Sequence, residues 1–262
     1  ELFINGQRIG EQVLAPAPTD YRKTILYNTY DVTPQLQKEN AIGVILGNGR
    51  FYTMRQNYKP YKIPTFGYPK LRLNLIIEYT DGSRQTIASD ISWKLTTEGP
   101  IRSNNEYDGE EYDARKELGD WNRTGYDDTN WIPAGRVSIP SGTLRAQMMP
   151  GMKVTESLKP VSIRKQGDKH ILDIGQNMAG WLRIRIKGQA GDSIRLRFAE
   201  RLQADGEIFT KNLRDAHCTD IYVVSGREPQ DTTWAPRFVY HGFRYVEISG
   251  YPNAKTEDFT AE

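Results

Sequence analysis

Apolar residues alternate with polar or charged residues along several short stretches of this chain. From Leu71 to Ile77 every second residue is apolar, and a second strand-like run returns after Asp81-Gly82. The same period of two appears in residues 182–187 and 194–198, where arginine or lysine fills the alternate positions. Side chains of a β-strand point alternately to opposite faces. These stretches therefore predict antiparallel strands with one buried face and one basic face in water.

Two further stretches follow different patterns. Residues 41–46 are continuously apolar, which predicts a central strand buried on both faces. Residues 33–40 are compatible with one short helix, capped by Thr33 and with Pro34 at its first position. Helical periodicity is otherwise scarce. The sequence therefore predicts an all-β protein built from two antiparallel β-sandwich domains.

The predicted boundary between the two domains lies in a proline-rich segment. Pro140, Pro150 and Pro160 cannot belong to a central strand, so this segment is expected to cross between sheets. We place the domains at residues 1–152 and 153–262. A strand-like run already begins at Glu1. We therefore expect the chain to be a piece or processed product of a longer protein, with a first domain that lacks its first strand.

Composition and charge exclude several classes of partner. The 35 lysine and arginine residues nearly balance the 33 aspartate and glutamate residues, which gives a net charge of +2. No run of like charges is long enough to predict binding to nucleic acid or to a membrane surface. No apolar stretch approaches the length of a membrane-spanning helix. The lone Cys218 cannot form an internal disulfide.

An acidic run is the first candidate for chemistry. Residues 106–113 contain five acids with tyrosine neighbours. In an extended strand, Asp108 and Glu110 would share one face at a spacing of about 7 Å, which suits a shared calcium ion or a pair of catalytic carboxyl groups. The alternative is a structural ion pair between Asp113 and Arg115, with the other acids at a solvated strand edge.

Other candidate constellations have less support in the sequence. The spacings of His170, His217 and His241 fit no zinc pattern, so we expect ordinary hydrogen-bonded histidines. No Gly-x-Ser-x-Gly motif supports a hydrolase triad. The segment from Asp173 to Asn177 is expected to form a corner in which the side-chain amides satisfy exposed peptide groups.

Three uncommon motifs occur in order within about eighty residues: Ile171-Leu-Asp-Ile-Gly-Gln-Asn-Met-Ala-Gly-Trp181, Ala199-Glu-Arg-Leu-Gln-Ala-Asp-Gly206 and Tyr240-His-Gly-Phe-Arg-Tyr245. Together they resemble the β-sandwich that precedes the catalytic barrel in bacterial α-L-rhamnosidases, glycoside hydrolase family 78. Ile4-Asn5-Gly6 and the motifs that follow it up to Trp131 are similar to the galactose-binding-like jelly roll at the N-terminus of that family. The resemblance covers essentially the whole chain.

The resemblance implies a supporting function. In that family an (α/α)6 barrel that follows the two sandwiches hydrolyses terminal α-L-rhamnosides with inversion, which needs two carboxyl groups about 6.5–9.5 Å apart. None of the acids in this chain lies in an equivalent of the barrel motifs, so no catalytic residue is assigned. The implied partners are rhamnosides and the missing barrel of the same polypeptide. The implied location is periplasmic or extracellular.

An independent carbohydrate-binding module is the alternative, because some family members use the jelly roll to bind rhamnose together with calcium. A sugar site needs an aromatic platform beside convergent polar groups. Two loops offer this mixture, and the predicted site consists of Asp20, Tyr21, Asn48, Arg50 and Phe51. Many relatives place tryptophan where this chain has Arg50-Phe51, so its platform is expected to be weaker. No cofactor is assigned, calcium stays open, and no metal ligands are named.

The second sandwich also yields predictions about stability. Trp181 and Phe243 are expected to lie in its core, where truncation of an aromatic side chain is strongly destabilising. Arg183 and Arg185 occupy the polar positions of an alternating strand, so their loss is expected to matter little.

Overall fold

A computed structural model describes residues 1–52 and 66–262, and in these ranges it contains β-strands and four 3-10 helices but no α-helix. The strands are β1 (Leu2–Ile4), β2 (Gln7–Ile9), β3 (Thr24–Tyr27), β4 (Ile42–Val44), β5 (Asn74–Glu78), β6 (Arg84–Ala88), β7 (Lys94–Leu95), β8 (Ile101–Asn105), β9 (Gly109–Asp113), β10 (Ile132–Pro133), β11 (Thr143–Ala146), β12 (Ser162–Gln166), β13 (Lys169–Gly180), β14 (Leu182–Arg185), β15 (Ser193–Ala199), β16 (Thr219–Val223), β17 (Thr233–Trp234), β18 (His241–Ser249) and β19 (Phe259–Ala261). The 3-10 helices are Thr33–Gln35, Ala114–Lys116, Lys211–Leu213 and Thr256–Asp258. The predicted all-β class is confirmed.

A two-layer sandwich is built mainly from the second half of the chain. One layer is a seven-stranded sheet in the order β12-β13-β18-β15-β16-β9-β8, and the other is a three-stranded sheet in the order β17-β14-β19. Side chains from both layers form a single buried cluster, which includes Leu196 and Val246 from the large sheet and Ile184 and Phe259 from the small one. The two sheets therefore pack face to face around one apolar core.

The predicted alternation places the core residues correctly. Leu182 and Ile184 in β14 are fully buried, and so are Ile194 and Phe198 in β15. The intervening basic side chains lie on the opposite face. Arg183 is an exception to the expectation of a free surface charge. Its guanidinium binds both oxygens of Glu262, at 2.7 and 2.8 Å.

This ion pair separates the effects of two neighbouring arginines. Glu262 has only 12% of its side chain exposed, whereas the partner of Arg185, Asp231, has 62% exposed. Arg183→Ser leaves a nearly buried carboxylate short of its charged partner, so we expect a loss of about 1–2 kcal/mol in the free energy of unfolding. The matched Arg185→Ser change removes an exposed ion pair and should change that energy by less than about 0.5 kcal/mol. Urea unfolding of both variants measures the difference, and equal losses would contradict this assignment.

The predicted hairpin at Asp81-Gly82 is present. β5 and β6 pair antiparallel, with Glu78 opposite Arg84. Its apolar face is less covered than the alternation predicts, because Leu75 and Ile77 are only half-buried and every residue of β6 is exposed. This hairpin forms a separate two-stranded sheet.

Two sequence predictions in the first half of the chain are wrong. The apolar stretch 41–46 is not a central strand: β4 lies at the edge of the three-stranded sheet β2-β1-β4, and Leu46 is exposed. Residues 33–40 contain only one 3-10 turn, and Thr33 lies inside it instead of capping it. The Asp31 carboxylate accepts the Thr33 N–H at 3.0 Å, so the capping group comes from two residues earlier.

The seven-stranded sheet includes two strands that precede the predicted domain boundary. β9 pairs in parallel with β16, so that Glu111 lies opposite Ile221, and β8 pairs with β9. Residues 101–113 therefore belong to the sheet of the second half of the chain. The division at residue 152 stays a prediction about domain organisation, and backbone hydrogen bonds cross it.

The two aromatic residues predicted for the core are both buried. Phe243 is fully buried and packs against Phe198, with ring centroids 4.9 Å apart. Trp181 is 8% exposed and lies at the end of the sandwich, where its indole N–H donates to Glu262 at 3.1 Å. Phe243 is therefore a central core residue, whereas Trp181 joins the core to a polar contact.

Candidate functional site

Asp20 lies in an exposed turn of the predicted sugar site. Its carbonyl accepts the backbone N–H groups of Lys23 and Thr24. Its carboxylate accepts the Arg22 N–H at 3.2 Å and the Arg22 guanidinium at 3.0 and 3.3 Å. These hydrogen bonds from Arg22 hold the pKa of Asp20 below its usual value. The carboxylate therefore has the contacts of a turn-capping group.

Tyr21 and Phe51 are brought together with a third ring, Phe66. The centroid of Tyr21 lies 5.1 Å from that of Phe51 and 5.3 Å from that of Phe66, with the rings edge to face. Burial raises the pKa of the Tyr21 phenol. Lys70 places its Nζ 4.8 Å from the centroid of Phe51. The rings thus contact one another and a cation, and this uses ring surface that a sugar platform would present.

Asn48 and Arg50 bind the end of β8 and the turn that follows it. The Asn48 N–H donates to the side chain of Asn104 at 2.9 Å, and the Asn48 amide donates to the Asn104 carbonyl at 3.0 Å. The Arg50 Nε donates to Glu106 at 3.1 Å. The Arg50 charge lowers the pKa of the Tyr21 phenol, and the Glu106 charge raises it. Tyr21, Arg50 and Phe51 are therefore neighbours, while Asp20 is bound to Arg22. That the five residues bind a sugar stays a prediction.

These contacts predict the result of a substitution at Asp20. Asp20→Ala removes a hydrogen bond to the turn, so the thermal midpoint should fall. The response of the protein to L-rhamnose, with or without calcium, should stay the same as in the unchanged chain. Thermal unfolding and an NMR titration measure the two properties. A variant that keeps its midpoint but loses a saturable rhamnose response would show that Asp20 binds sugar.

The acidic run 106–113 is divided between two environments. The predicted ion pair is present, because Arg115 binds both oxygens of Asp113 at 2.8 Å and lowers its pKa. The expectation of a solvated strand edge is wrong for Glu110, which is 1% exposed. The reason is that β9 lies between β8 and β16, inside the sheet. Among residues 1–52 and 66–262, no group of three or more His, Cys, Asp or Glu side chains is arranged to hold a metal ion.

Glu110 binds backbone groups of the segment before β18. Its oxygens accept the Arg237 N–H at 3.1 and 3.2 Å and the Phe238 N–H at 3.0 Å. Burial, with the nearby carboxylate of Asp220, raises the pKa of Glu110 to about 8 against the effect of these hydrogen bonds. A carboxyl group in this position fastens β9 to residues 237–238.

Asp220 and His241 form a buried pair beside Glu110. The Nε2 of His241 lies 3.0 and 3.1 Å from the two oxygens of Asp220, and Oδ1 of Asp220 also accepts the Glu110 N–H at 3.0 Å. The Nδ1 of His241 lies 3.3 Å from the Cys218 sulfur, and the ring of Phe198 stacks on the imidazole at 4.1 Å. Burial alone would lower the pKa of His241, but the Asp220 charge and the hydrogen bonds to Asp220 and Cys218 together raise the pKa to about 10. His241 is therefore a hydrogen-bonded cation at neutral pH.

The order of nucleophile, imidazole and carboxylate in this cluster matches the arrangement that activates a thiol. Cys218, Asp220 and His241 are, however, 7%, 0% and 3% exposed. The cluster joins β16 to β18 and is shielded from solvent. The prediction of an ordinary hydrogen-bonded histidine holds for His241.

Asp173 organises the corner that the sequence predicts. Its carboxylate accepts the Gly175 N–H at 2.7 Å and binds the Arg244 guanidinium at 2.9 and 3.0 Å, which lowers its pKa. Gly175 has a φ of +94°, which glycine adopts without strain. The prediction that the Asn177 amide satisfies peptide groups of the corner is wrong. The amide donates to Glu200 at 3.3 Å.

Comparison with known proteins identifies relatives along the whole chain. Residues 1–156 match the α-L-rhamnosidase N-terminal domain, and residues 163–262 match the bacterial α-L-rhamnosidase concanavalin-like domain. An α-L-rhamnosidase of Streptomyces avermitilis is 40% identical over 96% of this chain and 24% of its own length. One of Formosa agariphila is 38% identical over 95% of this chain and 27% of its own length. The structure of an α-L-rhamnosidase from Dictyoglumus thermophilum superimposes with a TM-score of 0.90 at 41% identity, over 99% of this chain and 28% of that one.

The chain spans about a quarter of the length of the relatives that it matches. In the part of the chain that the structure describes, no helix is long and apolar enough to cross a membrane.

Proposed function

Because this chain belongs to the α-L-rhamnosidase N-terminal domain family, we propose that it is the non-catalytic β-sandwich region of an α-L-rhamnosidase. It supports the hydrolysis of terminal α-L-rhamnosides by a catalytic region that lies outside these 262 residues. The observation that carries the proposal is the match to both family domains in order, in relatives about four times as long. The substrate class and the partner region come from those relatives.

The acids of the chain support a structural function. Glycoside hydrolysis requires two carboxyl groups that flank a sugar, one of them able to donate a proton to it. Glu110 has the raised pKa of a proton donor, but it is buried and its oxygens bind backbone N–H groups. Asp113 and Asp173 are paired with arginines that keep them ionised. These carboxyl groups hold strands and turns together.

The alternative of an independent rhamnose-binding module is less well supported. Its proposed central acid, Asp20, is bound to Arg22, and its proposed aromatic platform is packed against neighbouring rings. A location outside the cytoplasm is likewise a proposal that rests on the family alone. Fractionation of the source cells would test it.

Activity assays test the proposed function. The chain alone should not hydrolyse an aryl α-L-rhamnoside. A hybrid in which it replaces the matched quarter of the Streptomyces avermitilis enzyme should do so, whereas deletion of that quarter should abolish activity. Turnover by the isolated chain that is lost in Glu110→Gln would contradict the proposal, and so would an inactive hybrid or a fully active deletion.

A further inference from the structure

The three sequence motifs meet on one exposed surface of the second sandwich, which we call the bulge surface. It consists of Gln176, Asn177, Ala179, Glu200, Asn212 and Gly242, all of them exposed. Four residues of β13, 174–177, face a single residue of β18, Arg244, between the paired positions Asp173–Tyr245 and Met178–Phe243. This insertion turns the amides of the first motif outward.

Glu200 lies at the centre of the bulge surface. One of its oxygens accepts a hydrogen bond from Asn177 and the other from Asn212, both at 3.3 Å. Within residues 1–52 and 66–262 no arginine or lysine forms an ion pair with it. A carboxylate that accepts only one hydrogen bond at each oxygen has unused acceptor positions. The surface therefore suits a partner that presents an arginine, a lysine or several N–H groups.

The neighbouring positions leave room for such a partner to come close. Ala179 and Gly242 lie opposite each other in β13 and β18, and neither carries a long side chain. A Cβ atom at Gly242 would meet only the Glu200 carboxylate, at 3.8 Å. The bulge itself is held by the Asp173–Arg244 ion pair. A polar surface with short side chains, held in this way, fits another folded polypeptide better than a small sugar, which would bind in a concave site.

Trp181, the residue that directly follows β13, pairs with Glu262. Trp181 and Glu262 exchange two backbone hydrogen bonds of 3.0 Å, and the Glu262 carbonyl lies directly over Gly180. Any residue that follows Glu262 would leave the sandwich beside Gly180, on the same strand as Asn177. The relatives contain about three times more chain than the region matched here.

We propose that the bulge surface docks the part of the rhamnosidase polypeptide that lies outside this chain, through a basic or N–H-rich segment opposite Glu200. This inference rests on the proposed function and adds to it the surface by which the region acts. The asparagines orient Glu200, and Ala179 with Gly242 allows close approach of the partner backbone.

The active hybrid with the Streptomyces avermitilis enzyme allows a direct test. Gly242→Trp adds a large side chain where the isolated chain has space, so the isolated chain should keep its thermal midpoint. In the hybrid the same change should lower kcat/KM for an aryl α-L-rhamnoside by about tenfold or more, because a blocked contact at the centre of an interface is costly. Glu200→Gln should give a smaller loss in the same direction. Gly135→Trp is the matched control, since Gly135 is also exposed and nothing lies within 4 Å of its added Cβ.

Hydrogen exchange gives a second readout that does not depend on activity. Backbone amides of residues 175–179 and 240–242 should exchange more slowly in the hybrid than in the isolated chain, and Gly242→Trp should remove this protection. An active hybrid whose bulge variants match the Gly135→Trp control, with no added protection at these residues, would overturn the inference and leave the proposed function standing. An inactive unchanged hybrid would instead count against the proposed function itself.

Discussion

Replacing Asp220 with alanine should lower the free energy of unfolding by about 3–5 kcal/mol at pH 7, because the change removes the counter-charge that keeps the buried His241 protonated and takes away the hydrogen-bond partner of its Nε2. His241 is 3% exposed, and its Nε2 lies 3.0 Å from Asp220. The same substitution also removes the acceptor for the Glu110 N–H. Asp231→Asn, which changes an exposed aspartate on the same half of the chain, is the control and should leave the unfolding midpoint unchanged.

The pH dependence of unfolding identifies the cause of this loss. The folded pKa of His241 is about 10 against an ordinary 6.5, so its stabilising effect is complete below pH 6.5 and is lost as the pH rises toward 10. The pKa of Glu110 is raised from 4.5 to about 8, so between these pH values the unfolded chain releases this proton and the folded chain keeps it. The free energy of unfolding therefore falls as the pH rises from 4.5 to 8. Both groups therefore predict that the unchanged protein becomes less stable from about pH 5 to pH 10. The Asp220→Ala variant should show a flatter profile, and an equally steep one would contradict the role of the pair.

Phe243→Ala should also reduce the free energy of unfolding by about 3–5 kcal/mol, because it removes a fully buried ring from the centre of the sandwich and leaves a cavity. The ring packs on Phe198, which in turn stacks on His241. Tyr240→Ala, three positions earlier and 37% exposed, is the control and should have a much smaller effect. Urea unfolding followed by tryptophan fluorescence measures both. Equal losses in the two variants would show that Phe243 is not a core residue.

Local patterns in the sequence were sufficient for much of the fold. Alternation identified the buried residues of β14 and β15 because a strand with one buried face repeats every two residues. The ion pair between Asp113 and Arg115 could be predicted because the partners are two positions apart in the sequence. The corner at residues 173–177 was also predicted, but the group that holds the Gly175 N–H is the Asp173 carboxylate and not a side-chain amide.

Predictions failed where the partner is distant in sequence. Nothing near Glu110 indicates that it binds the N–H groups of residues 237 and 238, so it was expected in water. The apolar stretch 41–46 resembles a central strand in composition, but its position in the sheet depends on which strands pair with β4.

The pairing of β9 with β16 also constrains how the protein is made. Glu111 in β9 can pair with Ile221 in β16 only after the ribosome has added residues 112–221. At synthesis rates of about 5–20 residues per second, this delay amounts to roughly 5–20 s. During that time the new chain presents an open strand edge that carries the apolar ring of Tyr112, and such edges pair readily with other chains. Yield should therefore depend on how many growing chains are present at once, and slower initiation or a chaperone that covers strand edges should raise it.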